Sequence, residues 1–251
     1  MTGLVWLCRR ETLRVSKLWT QTVLAPVISS ILFILVFGLS LGGRINHVSG
    51  VEYDVFIVPG LIIMGMVQAA YANNASSIFQ ARFDRYINDV LSAPMPTWQM
   101  NAGYVVGGVF RALLIGGSLL VLAWLLVDVP VANPFALIAA IGFGLLLFAS
   151  LGVVVGIYAE SWDFTTFINN IVILPLVFVG GVFYSVEVLP SPWEELSHFN
   201  PVFYLVNAVR FGFLGESDVS IWLSLGVTAA LAVPVFLWAQ HLFASGKRLK
   251  P

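Results

Sequence analysis

The chain of 251 residues is 59% hydrophobic and only 10% charged, against roughly 25% charged residues in an ordinary soluble domain. Such a composition cannot clothe a water-soluble surface and leaves no room for a separate soluble catalytic domain. The net charge of -1 says little, because in a membrane protein the distribution of charge across the bilayer carries the information.

In chain order, residues 4–21 mix Trp6, Leu7, Leu13, Leu18 and Trp19 with Arg9, Arg10, Arg14 and Lys17. Tryptophan favours the headgroup level and basic side chains favour anionic lipid, so this stretch predicts a helix lying at the cytoplasmic interface. The single cysteine, Cys8, cannot form an intrachain disulfide and reads as a small packing residue. The next apolar run, residues 23–41, is too long for a cleaved signal sequence and predicts a retained first span. Further runs at 55–77, 102–127, 134–158, 164–183 and 219–243 are each near the roughly 20 residues that a bilayer requires. The expected fold is all-α: a polytopic membrane protein of one domain, residues 1–251, with six transmembrane helices.

Arg9, Arg10, Arg14, Lys17, Arg82, Arg85, Lys247, Arg248 and Lys250 fall on one side of these spans, while Arg44 and Arg210 fall on the other. The positive-inside rule then places both termini in the cytoplasm. The loop between spans four and five carries Glu160 and Asp163 without a basic residue, and acidic residues weigh little in that rule.

Between spans two and three, Phe79, Phe83, Tyr86, Ile87 and Val90 recur at helical spacing opposite Arg82, Arg85 and Asp89. This predicts an amphipathic cytoplasmic helix ending before Pro94. Its apolar stripe suits a helix docked in a partner's groove better than a solvated loop. The external stretch 184–218 contains an apolar run, 201–214, too short to span. Ser191-Pro192-Trp193-Glu194 and Asn200-Pro201 are helix-start signals, so two short re-entrant helices are expected there, as an external gate or a passive plug.

Within the spans, Arg111 should face the bundle interior or a cavity, or else snorkel to the interface. Gln68, Asn73, Asn74, Asn169 and Asn170 are candidates for a polar path or for interhelical hydrogen bonding. Pro175 should kink span five. Gly103, Gly107, Gly108, Gly116 and Gly117 permit close helix approach in span three.

No glycine-rich loop ending in Lys-Ser or Lys-Thr occurs, so the sequence offers no cradle for ATP. His47, His198 and His241 are isolated and lack metal-ligand spacing. Ser118, in Gly116-Gly117-Ser118, lacks the glycine that an intramembrane serine nucleophile motif would place after it. A secondary transporter, driven by an ion gradient without a partner, remains the alternative that six spans allow.

The run Arg85-Tyr86-Ile87-Asn88-Asp89-Val90-Leu91-Ser92-Ala93-Pro94, followed by Gly103-Tyr104-Val105-Val106-Gly107-Gly108, resembles the ABC-2 permeases. So do Glu160-Ser161-Trp162-Asp163-Phe164, Asn169-Asn170, Leu174-Pro175-Leu176, Gly180-Gly181-Val182-Phe183-Tyr184, Leu189-Pro190 and the stretch from Asn200-Pro201 to Arg210. The similarity covers nearly the whole chain and is nearest to permeases of nodulation-factor, daunorubicin and polysaccharide exporters. It implies two copies of this chain in a bacterial inner membrane, paired with two ATP-binding subunits that hold the ATP and magnesium. It implies no catalysis, cofactor, metal or nucleic acid in this chain, and membrane lipid around it. By that resemblance Phe83, Arg85, Ile87, Asp89 and Leu91 form the surface coupled to the ATPase, and spans two and five line the path, with Gln68, Asn73, Arg111, Asn169 and Asn170 as candidates. The helical pair over 191–213 becomes part of an extracytoplasmic gate, with Glu187, Trp193, Glu194, Asn200, Pro201, Phe203 and Arg210 as its residues.

Overall fold

A computed structural model describes residues 2–41, 47–48 and 51–249; Arg44 and Lys250 lie outside them, as does the side chain of Glu187. In chain order the helices are α1 (Thr2–Lys17), α2 (Ala25–Leu41), α3 (Tyr53–Phe83), α4 (Ile87–Ser92), α5 (Thr97–Leu126), α6 (Pro134–Tyr158), α7 (Trp162–Phe167), α8 (Leu174–Val179), α9 (Trp193–His198), α10 (Pro201–Leu214) and α11 (Ile221–Ser245). A π-helical turn, Thr20–Leu24, leads into α2, and a second, Ile168–Ile173, joins α7 to α8. A two-residue antiparallel pair, His47 opposite Glu52 and Val48 opposite Val51, precedes α3. Among the described residues, five helical runs are long and apolar enough to cross a membrane: α3, α5, α6, the continuous run Trp162–Val179, and α11. The expected first span corresponds to the 17-residue α2.

Helix α3 is the axis of the bundle. Phe56, Ile57, Ile63, Ala70, Ser77, Ile78 and Ala81 are buried at positions all around it, so the rest of the chain encloses most of its surface. Its 31 residues extend about 46 Å, against a hydrocarbon core of about 30 Å, so the helix overruns the expected span 55–77. Helix α6 lies tightly against it because Gly152 and Gly156, one turn apart, present no side chain to the Tyr71 and Ala75 carbonyls. A Cβ at Gly152 would overlap Tyr71 O. Gly152→Ala is therefore expected to force the helices apart and lower stability by about 1–3 kcal/mol. Gly142→Ala on the same helix, where a Cβ meets nothing within 4 Å, should be neutral or slightly stabilising; thermal melts of the two purified variants check the pair.

Helix ends follow their local chemistry. Asn133 accepts from Ala136 N at the start of α6, Ser161 from Phe164 N at α7, and Asn200 from Val202 N at α10, with Pro134 and Pro201 at first-turn positions where a missing N–H does no harm. The expected Ser191 cap is not made: α9 begins after Pro192, with no side-chain cap. At the C-terminal end of α6, Arg82 Nη1 donates to Gly156 O (3.0 Å) and Ala159 O (2.9 Å), supplying donors to carbonyls that the helix end leaves without partners. Helix α11 is tied to α5 by Gln240 to Thr97 (3.1 Å) and by Tyr104 stacked on Phe243.

The sequence-based expectation for residues 79–93 changes here. No single amphipathic helix forms. Phe79 and Phe83 are the last turn of α3, residues 84–86 make an elbow with Arg85 at φ 64°, and α4 has only six residues. A left-handed residue cannot continue a right-handed helix, so the periodic pattern spans two helices pointing in different directions. The N-terminal helix also differs from a helix resting only on lipid, because Leu7, Glu11 and Val15 form a buried face within the bundle.

Candidate functional site

A cavity of about 480 Å³ lies between α2, α3, α5 and the α7–α8 run. Gln21, Gln68, Arg111 and Asn169 give it polar walls, and Phe33, Leu61 and Phe178 give it apolar ones. Both π turns border it, each followed two residues later by a proline, Pro26 or Pro175. Proline lacks an N–H and its ring crowds the carbonyl four residues back. The chain answers by widening the preceding turn, so that Ala25 N–H bonds Thr20 O and Leu174 N–H bonds Asn169 O. The kink expected at Pro175 is thus expressed as a π turn, a device common at functional sites, and Gln21 and Asn169 sit inside these turns. Of the five residues expected on the path, Gln68, Arg111 and Asn169 converge here. Asn170 accepts from Asn169 Nδ2 (3.0 Å) and is exposed, and Asn73 belongs to a different cluster.

That second cluster is a buried polar latch centred on Glu11, which is fully buried. Its carboxylate accepts from Ser77 Oγ at 2.8 Å and pairs with Arg14 at 3.2 Å and Arg10 at 3.3 Å. Arg14 Nη2 also donates to Asn73 O (3.1 Å) and Asn73 Oδ1 (2.9 Å), Asn73 Nδ2 to Asn74 Oδ1 (3.1 Å), and Asn74 Nδ2 to Ala149 O (2.9 Å). One chain of hydrogen bonds therefore connects α1, α3 and α6. Space for it comes from α5: a Cβ at Gly107 would meet Glu11 Cβ at 2.7 Å, and one at Gly108 would meet Asn74 Oδ1 at 2.7 Å. Leu7 sits against Gly103 in the same manner, one turn earlier on both helices. The sequence reading passed over Glu11. A lone acid in a basic helix, on the i, i+4 row of Leu7 and Val15 and facing glycines of matching spacing, was the available signal.

The exposed side of α1 mixes Trp6 and Leu13 with Arg9 and Lys17, with Arg9 over the Trp6 ring at 5.1 Å. This suits the headgroup region. Cys8 is half-buried and burial raises its thiol pKa, which disfavours the reactive thiolate.

The elbow at residues 84–86 joins the latch directly. Arg10 lies over the Tyr86 ring at 4.7 Å, and burial, the main cause, raises the Tyr86 phenol above its usual pKa, keeping the ring neutral beneath the cation. Ile87 and Val90 are buried against the chain itself. These two residues of the apolar stripe read from the sequence therefore seat α4 on its own bundle. Phe83, Arg85 and Asp89 are exposed and Leu91 is half-buried.

At the far end, Arg210 is buried. It donates to Gly181 O (2.6 Å), approaches Asp218 Oδ2 at 3.9 Å and lies 4.0 Å from the Phe56 ring centre. Gly181 adopts φ 81°, a conformation glycine reaches without strain, and so turns its carbonyl to the guanidinium. Asp218 also accepts from Ser185 Oγ (3.0 Å) and Val186 N (3.1 Å). Asn200 Nδ2 donates to Leu176 O, and Phe203 is buried against His198. Trp193 is exposed and Glu194 half-buried on α9. Asn200, Pro201, Phe203 and Arg210 thus lie on one helix and its cap, clear of the Trp193–Glu194 surface.

These features define a polytopic helical membrane protein with a polar-walled cavity and an elbow between α3 and α4 tied to its core. The family profile described as ABC-2 type transporter matches residues 2–214, and the chain belongs to that family. It is 40% identical over 241 residues to "Inner membrane transport permease YadH" of Escherichia coli (strain K12), covering 96% of this chain and 94% of that protein. It is 26% identical over 243 residues to "Nodulation protein J" of Rhizobium leguminosarum bv. viciae, covering 96% and 94%. A Rhizobium meliloti (strain 1021) protein of the same description is 24% identical over 248 residues, covering 98% and 93%.

Proposed function

We propose that this chain is the transmembrane permease of an ATP-driven exporter in a bacterial inner membrane, moving an amphipathic, lipid-linked or glycan substrate out of the cytoplasm or inner leaflet. Two copies would pair with two ATP-binding subunits that hold ATP and magnesium. The observation that carries the reading is the cavity at membrane depth, where Gln68, Arg111 and Asn169 meet between kinked helices. Family membership and the permease relatives support it.

In this arrangement α2 is the sixth span. With the π turn from which it continues it provides about 30 Å of helix, and both termini face the cytoplasm. Helix α10 dips inward from the outer surface: Leu205 lies against Gly144, ten residues into α6, about 15 Å from its outer end. Such a helix keeps its backbone satisfied by burial in protein and serves as part of the outer gate. Phe83, Arg85 and Asp89 meet the ATPase, while Ile87 and Leu91 seat the elbow.

The chain purified from native membranes is expected to bring an ATP-binding subunit with it, and proteoliposomes holding both should export a fluorescent amphiphile only with ATP. Flux driven by a proton or sodium gradient through this chain alone would establish a secondary carrier instead. Arg85→Gly separates the elbow's shape from its side chain. It removes a left-handed strain of about 1–2 kcal/mol, so the melting temperature should hold or rise, while ATP-driven transport falls if the guanidinium contacts the ATPase. Transport unchanged in Arg85→Gly would remove Arg85 from the coupling surface.

A further inference from the structure

We propose that the cavity binds the anionic headgroup of an amphiphile at Arg111, with the hydrocarbon tail leaving along the outer face of α2. This rests on the permease reading and specifies the ligand chemistry of that site. Arg111 is the one cation lining the cavity, and no carboxylate lines it among the described residues. A charge inside a membrane helix is expensive and marks a functional path by default. The planar guanidinium fork matches phosphate and carboxylate oxygens in a way that an ammonium does not.

The cavity is polarised along its length. Gly108 faces Ala70 and Asn74, and Gly116 faces Met66, so Arg111 falls at the level of Gln68 and Ala72. Gln68 therefore stands with Arg111 at one end, while Leu61 lies about two turns away along α3, together with Phe33 and Phe178. A second hollow of about 290 Å³, lined by Ser29, Leu32, Phe33 and Val36, shares Ser29 and Phe33 with the first. Leu32 and Val36 are each 56% exposed, so this hollow is an apolar groove on the outer face of α2. A charged pocket continuous with an apolar groove fits one molecule carrying both chemistries. A small free anion would use only the pocket.

The test is calorimetric titration of the purified chain in neutral detergent, with micelle blanks subtracted, using dodecyl phosphate, inorganic phosphate and dodecyltrimethylammonium. Saturable binding of dodecyl phosphate is expected, with the other two at least about tenfold weaker. Arg111→Gln should weaken dodecyl phosphate at least about tenfold, and Arg111→Lys, which keeps the charge but loses the planar fork, should fall between Arg111→Gln and the wild type. Equal binding of the ammonium amphiphile, equal binding of inorganic phosphate, or undiminished binding by a folded Arg111→Gln protein would each overturn the proposal. The wild-type comparison decides the matter even where a variant fails to fold. Because no nucleotide or partner is present, a failed titration alongside intact ATP-driven export removes the site alone, whereas absent ATP-driven export removes the permease reading itself.

Discussion

Glu11→Ala is expected to be among the most damaging single substitutions in this chain. It leaves Arg10 and Arg14 without their carboxylate and Ser77 without its acceptor. Breaking a buried charge pair by removing one partner costs about 3–5 kcal/mol. The lower end of that range applies, because the Arg10 and Arg14 side chains keep 35% and 24% of their exposure. Glu11→Gln keeps the volume and an acceptor oxygen and should lose less. A double-mutant cycle of Glu11→Ala with Ser77→Ala would show coupling, since the two groups share one bond. Melts of the detergent-purified variants measure the effect, and Glu11→Ala melting with the wild type would dissolve the latch. If the chain is the permease of an ATP-driven exporter, the same variant should uncouple ATP use from export, because Arg10 joins Glu11 to the elbow at Tyr86.

Arg210→Met should come next in size. Methionine keeps much of the bulk over Phe56 but strips the Gly181 carbonyl of its donor and Asp218 of its nearby cation. A buried group left unsatisfied costs about 1–3 kcal/mol. Asp218 retains bonds from Ser185 and Val186, so the combined loss should be about 2–3 kcal/mol. That corresponds to a melting point lowered by roughly 4–12 °C for a chain of this size. Arg210→Lys, which still reaches with a charge but cannot place the fork, should fall between. If α10 forms the outer gate, Arg210→Met should also raise ATP-independent leak; a melt unchanged from wild type would mean that this contact does not hold α10 in place.

Much of this was legible in the sequence because the bilayer leaves few solutions. Apolar runs of sufficient length fold as helices in lipid, since every backbone polar group must be satisfied within the segment. Span four was read to its observed ends, and the Asn200-Pro201 start of α10 was read from capping chemistry alone. The elbow was not, because helical periodicity records which residues are apolar and ignores a single residue that reverses its φ. Phe79 and Ile87 share a pattern yet sit on different helices.

Composition, run length and motif therefore determined that this chain is a polytopic helical membrane protein of the ABC-2 type, and marked Arg111, Gln68 and Asn169 as residues worth watching. Only the tertiary structure decided that these three share a cavity while Asn73 joins Arg14, that Glu11 is the centre of a buried latch, and that Ile87 and Val90 pack on their own bundle while Phe83 stays exposed. The physical reason is one of range. Secondary structure in lipid is settled by hydrogen bonds within a few residues of each other. The partners of a buried charge are chosen by helix packing, which glycines at positions 103, 107, 152 and 156 set across the bundle.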